Sequence, residues 1–262
     1  MQVESTELPG CACDGVSGGD GCAQASRIPF PLRPVTLVSG HYGVGKTTFA
    51  LNMAVDVANE GAAVTLVDLD VVNPYFRSSE YRDLVEGHGV KLIAPVFGET
   101  GSSLDAPSLT GALAPAVVQA YAGEGVVIVD VGGDDVGSTA LGRFSAVVSA
   151  GEYDLLYVVN PYRNLTQDPL DALDILREVE HASHLRVTGI VGNGHLKSET
   201  DAATAAEGAR FALTVAEAAG LPVRCSTVPH LLPQTDLDEV ARCARGVSLY
   251  PVFPYVTTPW ER

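Results

Sequence analysis

The sequence predicts an α/β fold: a single doubly wound, mostly parallel sheet of seven or eight strands with helices on both faces. Three observations carry this. From residue 35 onward, short β-branched runs alternate with stretches of helical length. Two of those runs end in an acid, at Asp68 and Asp130. The first run, Val35-Thr36-Leu37-Val38-Ser39, leads into Gly40-His41-Tyr42-Gly43-Val44-Gly45-Lys46-Thr47, a match to the phosphate-binding string G-x-x-x-x-G-K-[ST].

That string needs a strand before it and a helix after it, and both are present. Thr47-Thr48-Phe49-Ala50-Leu51-Asn52-Met53-Ala54-Val55 reads as the helix, ending near Asn59-Glu60 with Gly61 as the cap. Backbone N–H groups then line the loop, and the helix N-terminus adds partial positive charge for a polyphosphate. Lys46 is expected to reach the β- and γ-phosphates, and the Thr47 hydroxyl to ligate Mg²⁺. The alternative is a Gly-rich turn between a core strand and a helix.

The remaining elements follow in order. Residues 63–68 form a strand running into Asp68-Leu69-Asp70, carboxylates at a strand's carboxyl end, where ligands of open α/β sheets bind. A short helix to Gly87 and a strand over 90–94 come next. The Pro-, Gly-, Ser- and Thr-rich stretch 95–108 reads as a long loop of the functional kind. After a helix near 109–122, Gly125-Val126-Val127-Ile128-Val129-Asp130 is a buried strand whose last residue fits a Walker B carboxylate, positioning Mg²⁺ through water. Val131-Gly132-Gly133-Asp134-Asp135 follows, with glycines that let backbone approach a terminal phosphate. Residues 155–160 form a strand closed by Pro161. Asp168 and Pro169 are N-cap and N1 of a helix to about His181. Strands are expected over 185–191 and 222–228, and an Ala-rich helix over 201–219 capped by Gly220. Thr235 and Asp238 begin the last helix as a capping box.

Residues 1–34 are expected to be a flexible extension and 35–262 the nucleotide-binding domain. Cys11, Cys13 and Cys22 lie in the Gly- and Asp-rich part of the extension. Three thiols fall short of a four-ligand site, so they are either a soft-metal site shared between two chains or incidental. The five Cys form no disulfide framework, and the six His fall in no metal-binding pair.

Charge excludes whole classes of partner. The chain has 32 acidic and 16 basic residues, a formal net charge of −16, and only three lysines: Lys46, Lys91 and Lys197. Such a surface repels nucleic acid and anionic lipid. The tail at 249–255 is aromatic and broken by prolines, so it forms no amphipathic membrane helix. No apolar run reaches bilayer length and the first residues lack a basic leader, so the expectation is a cytoplasmic protein without a membrane partner.

The loop, the D-L-D strand end and the D-V-G-G-D strand end together resemble the MinD/ParA/CobQ-type P-loop ATPases, the class that includes nitrogenase iron protein, over about residues 35–245. Ser39–Thr48 resembles that family's S-G-K-G-G-V-G-K-T-T. The resemblance implies ATP and Mg²⁺ as cofactors, with Gly40 to Thr48 cradling the phosphates. It gives Asp70 the attacking water, and makes Asp68 and Asp130 the acids beside the metal. Val159-Asn160-Pro161 resembles the family's T-N-P, and Asn193 and Val228-Pro229 fall where relatives hold adenine. One position departs: the signature Lys is His41, and the next Gly is Tyr42. In relatives that Lys crosses an ATP-bound homodimer, so its loss bears on activation in trans and not on binding. Absence of N-K-x-D or T-K-x-D favours ATP over GTP. The implied function is a slow ATPase switch, or a maturation factor for a client protein or metallocentre. A CobQ- or dethiobiotin-synthetase-like ligase acting on a small carboxylate is the alternative, and a non-hydrolysing regulator a third.

Overall fold

The computed structural model describes residues 26–70, 78–94, 106–133, 135–164, 166–196 and 199–256. Cys11, Cys13, Cys22, Arg77, Asp134 and Lys197, with most of the loop over 95–108, lie outside the described residues.

Among the described residues there are eight strands and eight helices, mostly in alternation. In chain order they are β1 (Val35–Ser39), α1 (Lys46–Asn59), β2 (Val64–Leu69), a 3-10 turn (Ser78–Tyr81), α2 (Arg82–Gly87), β3 (Lys91–Ile93), α3 (Ala106–Tyr121), β4 (Val126–Val131), α4 (Asp135–Gly142), α5 (Ser145–Val148), β5 (Tyr153–Val159), α6 (Pro169–Ser183), β6 (Gly189–Gly192), α7 (Ala202–Ala219), β7 (Val223–Pro229), α8 (Gln234–Cys243) and β8 (Leu249–Val252). The strands form one sheet in the order β3-β2-β4-β1-β5-β6-β7-β8, and every neighbouring pair is parallel.

Period-2 alternation sends side chains to two cores. Val35, Leu37, Val127, Val129, Leu155 and Tyr157 pack on one face against α3, α6 and α7. Val38, Leu66, Ile128, Leu156 and Val158 pack on the other against Phe49 and Met53 of α1. A parallel sheet covered on both faces requires near-continuous apolar strands, the pattern the sequence carries. Each fully buried side chain of this kind contributes about 1.5–3 kcal/mol.

The order of strands fixes where a ligand can sit. The chain moves outward from β1 to β2 and β3, returns through β4, and then builds β5 to β8 on the other side. β1 is therefore the switch point, and the crevice opens at its carboxyl end.

Four local readings differ from the sequence expectation. Residues 26–34, assigned to the extension, pack on the domain: Ile28 is buried in the α1-side core, and the Arg27 guanidinium donates to Asp56 at 2.7 Å. The strand expected over 185–191 begins at Gly189, because two upstream backbone donors are taken by side chains. Arg186 N–H bonds the Tyr153 hydroxyl and Val187 N–H bonds Glu180. The capping box at Thr235 and Asp238 does not form; α8 starts at Gln234 after Pro233, with no side-chain cap. The Asp168 cap does form, its carboxylate accepting Leu170 N–H at 2.8 Å. The tail adds β8, parallel to β7, an element the Pro-interrupted pattern concealed.

Candidate functional site

The loop between β1 and α1 is held in a conformation open to glycine. Gly40, Gly43 and Gly45 have φ of 147°, 76° and 95°. At Gly45 the requirement is double, because a Cβ would also overlap the Asn193 amide nitrogen. That amide donates to Val44 O at 2.6 Å, and Asn193 Oδ1 accepts the Thr227 hydroxyl of β7. The loop is thus tied from below to the ends of β6 and β7. Lys46, 7% exposed, turns back along the loop, its Nζ donating to His41 O at 3.0 Å.

The two strand-end acids sit side by side, Asp68 of β2 in register with Asp130 of β4. Their surroundings differ. Asp68 Oδ1 accepts Asp70 N–H at 3.0 Å and Oδ2 accepts Ser79 N–H at 2.9 Å, so both oxygens of this carboxylate are met by backbone donors. Asp130 Oδ2 accepts the Ser78 hydroxyl at 2.6 Å, and the Thr47 hydroxyl also bonds this carboxylate. Its Oδ1 is buried and meets no donor among the described residues. Burial pushes the Asp130 carboxyl up to about 7; the Asp68 charge adds to this, while Ser78, Lys46 and Thr47 oppose it. A buried acid with an unpartnered oxygen, beside the Thr47 hydroxyl, fits a hydrated divalent cation. Asp68 is also raised, by burial first, against the hydrogen bonds from Ser79.

Gly133, just past β4, lies on the loop itself. A Cβ there would stand 2.6 Å from Lys46 Nζ and 2.8 Å from Tyr42 N. Only a residue without a side chain brings this backbone so close. Asp70 is buried beside Gly132, whose Cβ would come within 3.2 Å of Asp70 Oδ1.

His41 is held below its ordinary pKa by burial first and then by the Lys46 charge, with Glu178 of α6 opposing. The imidazole is therefore neutral at pH 7. Tyr42 is exposed. Thr48 O accepts from Asn52 at 2.8 Å. Asn160, at the end of β5, is buried; its Oδ1 accepts Tyr162 N–H and its amide donates to His195 O at 3.4 Å. Pro229 ends β7, with His230 N–H bonded to Val252 O. The structure thus gathers Gly40 to Thr48, Asp70, Asp130 and Asn193 around one crevice, with Asn160 at the neighbouring strand end and Pro229 at the far side of β7. Sequence reading missed Ser78, which carries no motif, and Arg163, whose aliphatic Cδ would lie 3.7 Å from a Cβ on Gly43. An arginine shortly after a strand end was the one signal available for the second.

A parallel sheet with its switch point at a glycine loop, a lysine, a threonine and a facing aspartate defines a P-loop NTPase-like α/β protein. The family model for the CobQ/CobB/MinD/ParA nucleotide binding domain matches residues 35–209, and the chain belongs to this family. An iron-sulfur cluster carrier protein of Pseudomonas fragi is 31% identical over 102 residues, covering 32% of this chain and 36% of the relative. The chain therefore matches only about a third of that relative's length. Among solved structures, cell division protein FtsY from Thermotoga maritima is 23% identical with a TM-score of 0.53, covering 84% of this chain and 72% of that one. The 54 kDa signal recognition particle protein from Aeropyrum pernix, in complex with GDP, is 18% identical with a TM-score of 0.55, covering 85% and 49%. At these identities the likeness is one of fold. Among the described residues no helix is long and apolar enough to cross a membrane.

Proposed function

We propose that the protein binds Mg-ATP at the β1–α1 loop, hydrolyses it slowly, and uses the cycle as a switch for a client protein or for assembly of a metallocentre. The observation that carries this reading is the convergence of Lys46, Thr47 and the partly unpartnered Asp130 carboxylate at the sheet's switch point. Lys46 and the loop amides hold the phosphates. Thr47 and Asp130 hold Mg²⁺, which neutralises charge on the phosphate oxygens when bound. Asp68 holds the Ser79 N–H next to Ser78, and Asp70 orients water. ATP is read over GTP, with Asn160 and Pro229 on the base side, while Asn193 is taken up in holding the loop at Val44 O. Support for a maturation or carrier role comes from the match to the iron-sulfur cluster carrier protein, and the acidic surface suits a protein client better than nucleic acid.

The family description spans CobQ and CobB as well as MinD and ParA, which supports an ATP-dependent ligase as a second reading. One assay separates them: ATP turnover by purified protein, with and without the proteins that copurify with it. Stimulation by a partner supports the switch. Rapid turnover that depends on an added small carboxylate supports the ligase, and no turnover with tight ATP binding supports a regulator.

A further inference from the structure

The loop has lost the one cation that the resemblance leads one to expect at its second position. His41 is neutral at pH 7. Yet an arginine is built over the opposite edge of the loop. β5 is the direct neighbour of β1, with Ser39 in register with Tyr157, so the chain leaving β5 runs beside the chain entering the loop. It turns at once. Asn160 Oδ1 accepts Tyr162 N–H at 3.0 Å, and Asn160 O accepts both Arg163 N–H at 3.3 Å and the Thr166 hydroxyl at 3.1 Å. Thr166 is itself buried, and its N–H returns to Arg163 O at 3.3 Å. On the outer side, Tyr162 donates from its hydroxyl to Glu207 of α7 at 2.7 Å. The turn is thus pinned at both ends, and Arg163 projects from its middle.

The side chain lies on Gly43: its Cδ and Nε would stand 3.7 and 3.9 Å from a Cβ built there. In a chain with twice as many acids as bases, an arginine ordinarily finds a carboxylate. Among the described residues Arg163 is in none of the ion pairs, and its buried Nε meets no acceptor. A donor group that is fixed, half-buried and unsatisfied costs stability unless an acceptor arrives. Lys46 Nζ reaches His41 O, so the His41–Gly43 arc encloses the place where the terminal phosphates meet the lysine. Arg163 closes that arc from the β5 side.

We propose that Arg163 is a phosphate-contacting residue of this site, supplying in cis, from the β5 turn, the positive charge that His41 does not carry. The proposal rests on the nucleotide-binding reading above. Its guanidinium contacts the terminal phosphoryl oxygens and stabilises their charge while the bond to the bridging oxygen breaks and water attacks. A planar fork of donors suits phosphate oxygens, whereas a lysine in its place offers a point charge on a longer, looser stem.

The test uses the full chain. Calorimetry with Mg-ATP and Mg-ADP establishes binding for the wild type; no binding of either overturns the nucleotide reading and this inference with it. Given binding, Arg163→Ala weakens ATP by about tenfold or more and ADP by less than about twofold, because the lost contact is to the terminal phosphate. Turnover falls by about a hundredfold, and added guanidinium chloride at sub-denaturing concentration restores part of it. Arg163→Lys keeps most of the ATP affinity but not the rate. Unchanged turnover with an unchanged preference for ATP over ADP overturns the inference. So does equal weakening of both nucleotides together with a lower melting temperature and no guanidinium response, the result expected of an arginine that only props up the turn.

Discussion

Asn193, at the end of β6, holds the carbonyl of Val44 at 2.6 Å, so the loop after β1 rests on an amide from a strand two positions away. The same side chain accepts from Thr227 of β7, and its nitrogen fills the space beside Gly45 that a Cβ would need. The loop's shape is therefore a property of three strand ends and not of its own sequence alone.

Asn193→Ala removes both bonds and leaves Val44 O and the Thr227 hydroxyl buried. Each group left without a partner costs about 1–3 kcal/mol, so the melting temperature should fall by several degrees and ATP affinity with it. Asn193→Asp should be worse for the loop, because it sets a carboxylate oxygen against a carbonyl. Thermal unfolding followed by circular dichroism, with and without Mg-ATP, reads both. A variant as stable as wild type with full affinity would show that the tie is incidental.

Lys46→Ala tests the loop assignment directly. A charge-assisted contact to phosphate is worth about 1.5–3 kcal/mol, or about ten- to a hundredfold in Kd, and the described residues place no second lysine at the loop. Calorimetry should show that loss with the fold intact.

Gly133→Ala introduces one methyl group 2.6 Å from Lys46 Nζ and 2.8 Å from Tyr42 N. The β4 end must then lift off the loop or the lysine must swing away. Turnover should drop by about tenfold or more while the melting temperature moves little, since Gly133 is at the edge of the crevice. Equal turnover in this variant would mean that the contact relaxes at no cost to the site.

The β-branched strands, the loop and the terminal acids were legible because their patterns are local. Val126–Val131 buries five of its six positions and says so in its composition. The Asp168-Pro169 start and the Gly220 stop of two helices were likewise written in two or three residues. What the sequence hid is what depends on register. Ser78, 52 residues from Asp130 in the chain, becomes its partner only because β2 and β4 are neighbours. Arg163 reaches Gly43 only because β5 lies against β1. The strand expected over 185–191 runs only from Gly189 to Gly192, because Leu185 and Val187 are buried without joining the ladder, a distinction that hydrophobicity alone does not make.

Asp130 gives the site a pH signature. Its folded carboxyl titrates near 7, above the ordinary value of 3.8 that the unfolded chain retains. Between those values the folded state holds a proton that the unfolded state has released. Stability without metal should therefore fall as pH rises from about 4 to 7, and level off above. Asp130→Asn should remove that part of the decline, making the metal-free protein more stable than wild type at pH 8 and little different at pH 4. The same substitution should abolish Mg²⁺-dependent stabilisation by ATP. Chemical denaturation at the two pH values, run with EDTA and then with Mg-ATP, measures both; identical pH profiles for the two proteins would place the titration elsewhere.

His41 and Tyr42 bear on the proposal that the site works across two copies of the chain. The imidazole is neutral at pH 7, held down by burial and by Lys46, so it carries no fixed charge to a partner's phosphates. Tyr42 is 55% exposed and replaces a glycine of the resembled loop with a ring that a facing chain would have to accommodate. Changing His41→Lys and Tyr42→Gly together should restore a crossing cation and clear its path. With Arg163 already serving the loop from within, the gain in turnover should be nearer tenfold than the thousandfold or so that a cation new to a phosphoryl site can supply. Size-exclusion with light scattering should show ATP-dependent dimer in the wild type and a tighter one in the double variant. A monomer in every condition, with no gain in rate, would end the dimer-switch reading and leave a monomeric ATP-dependent ligase as the better account of the same loop.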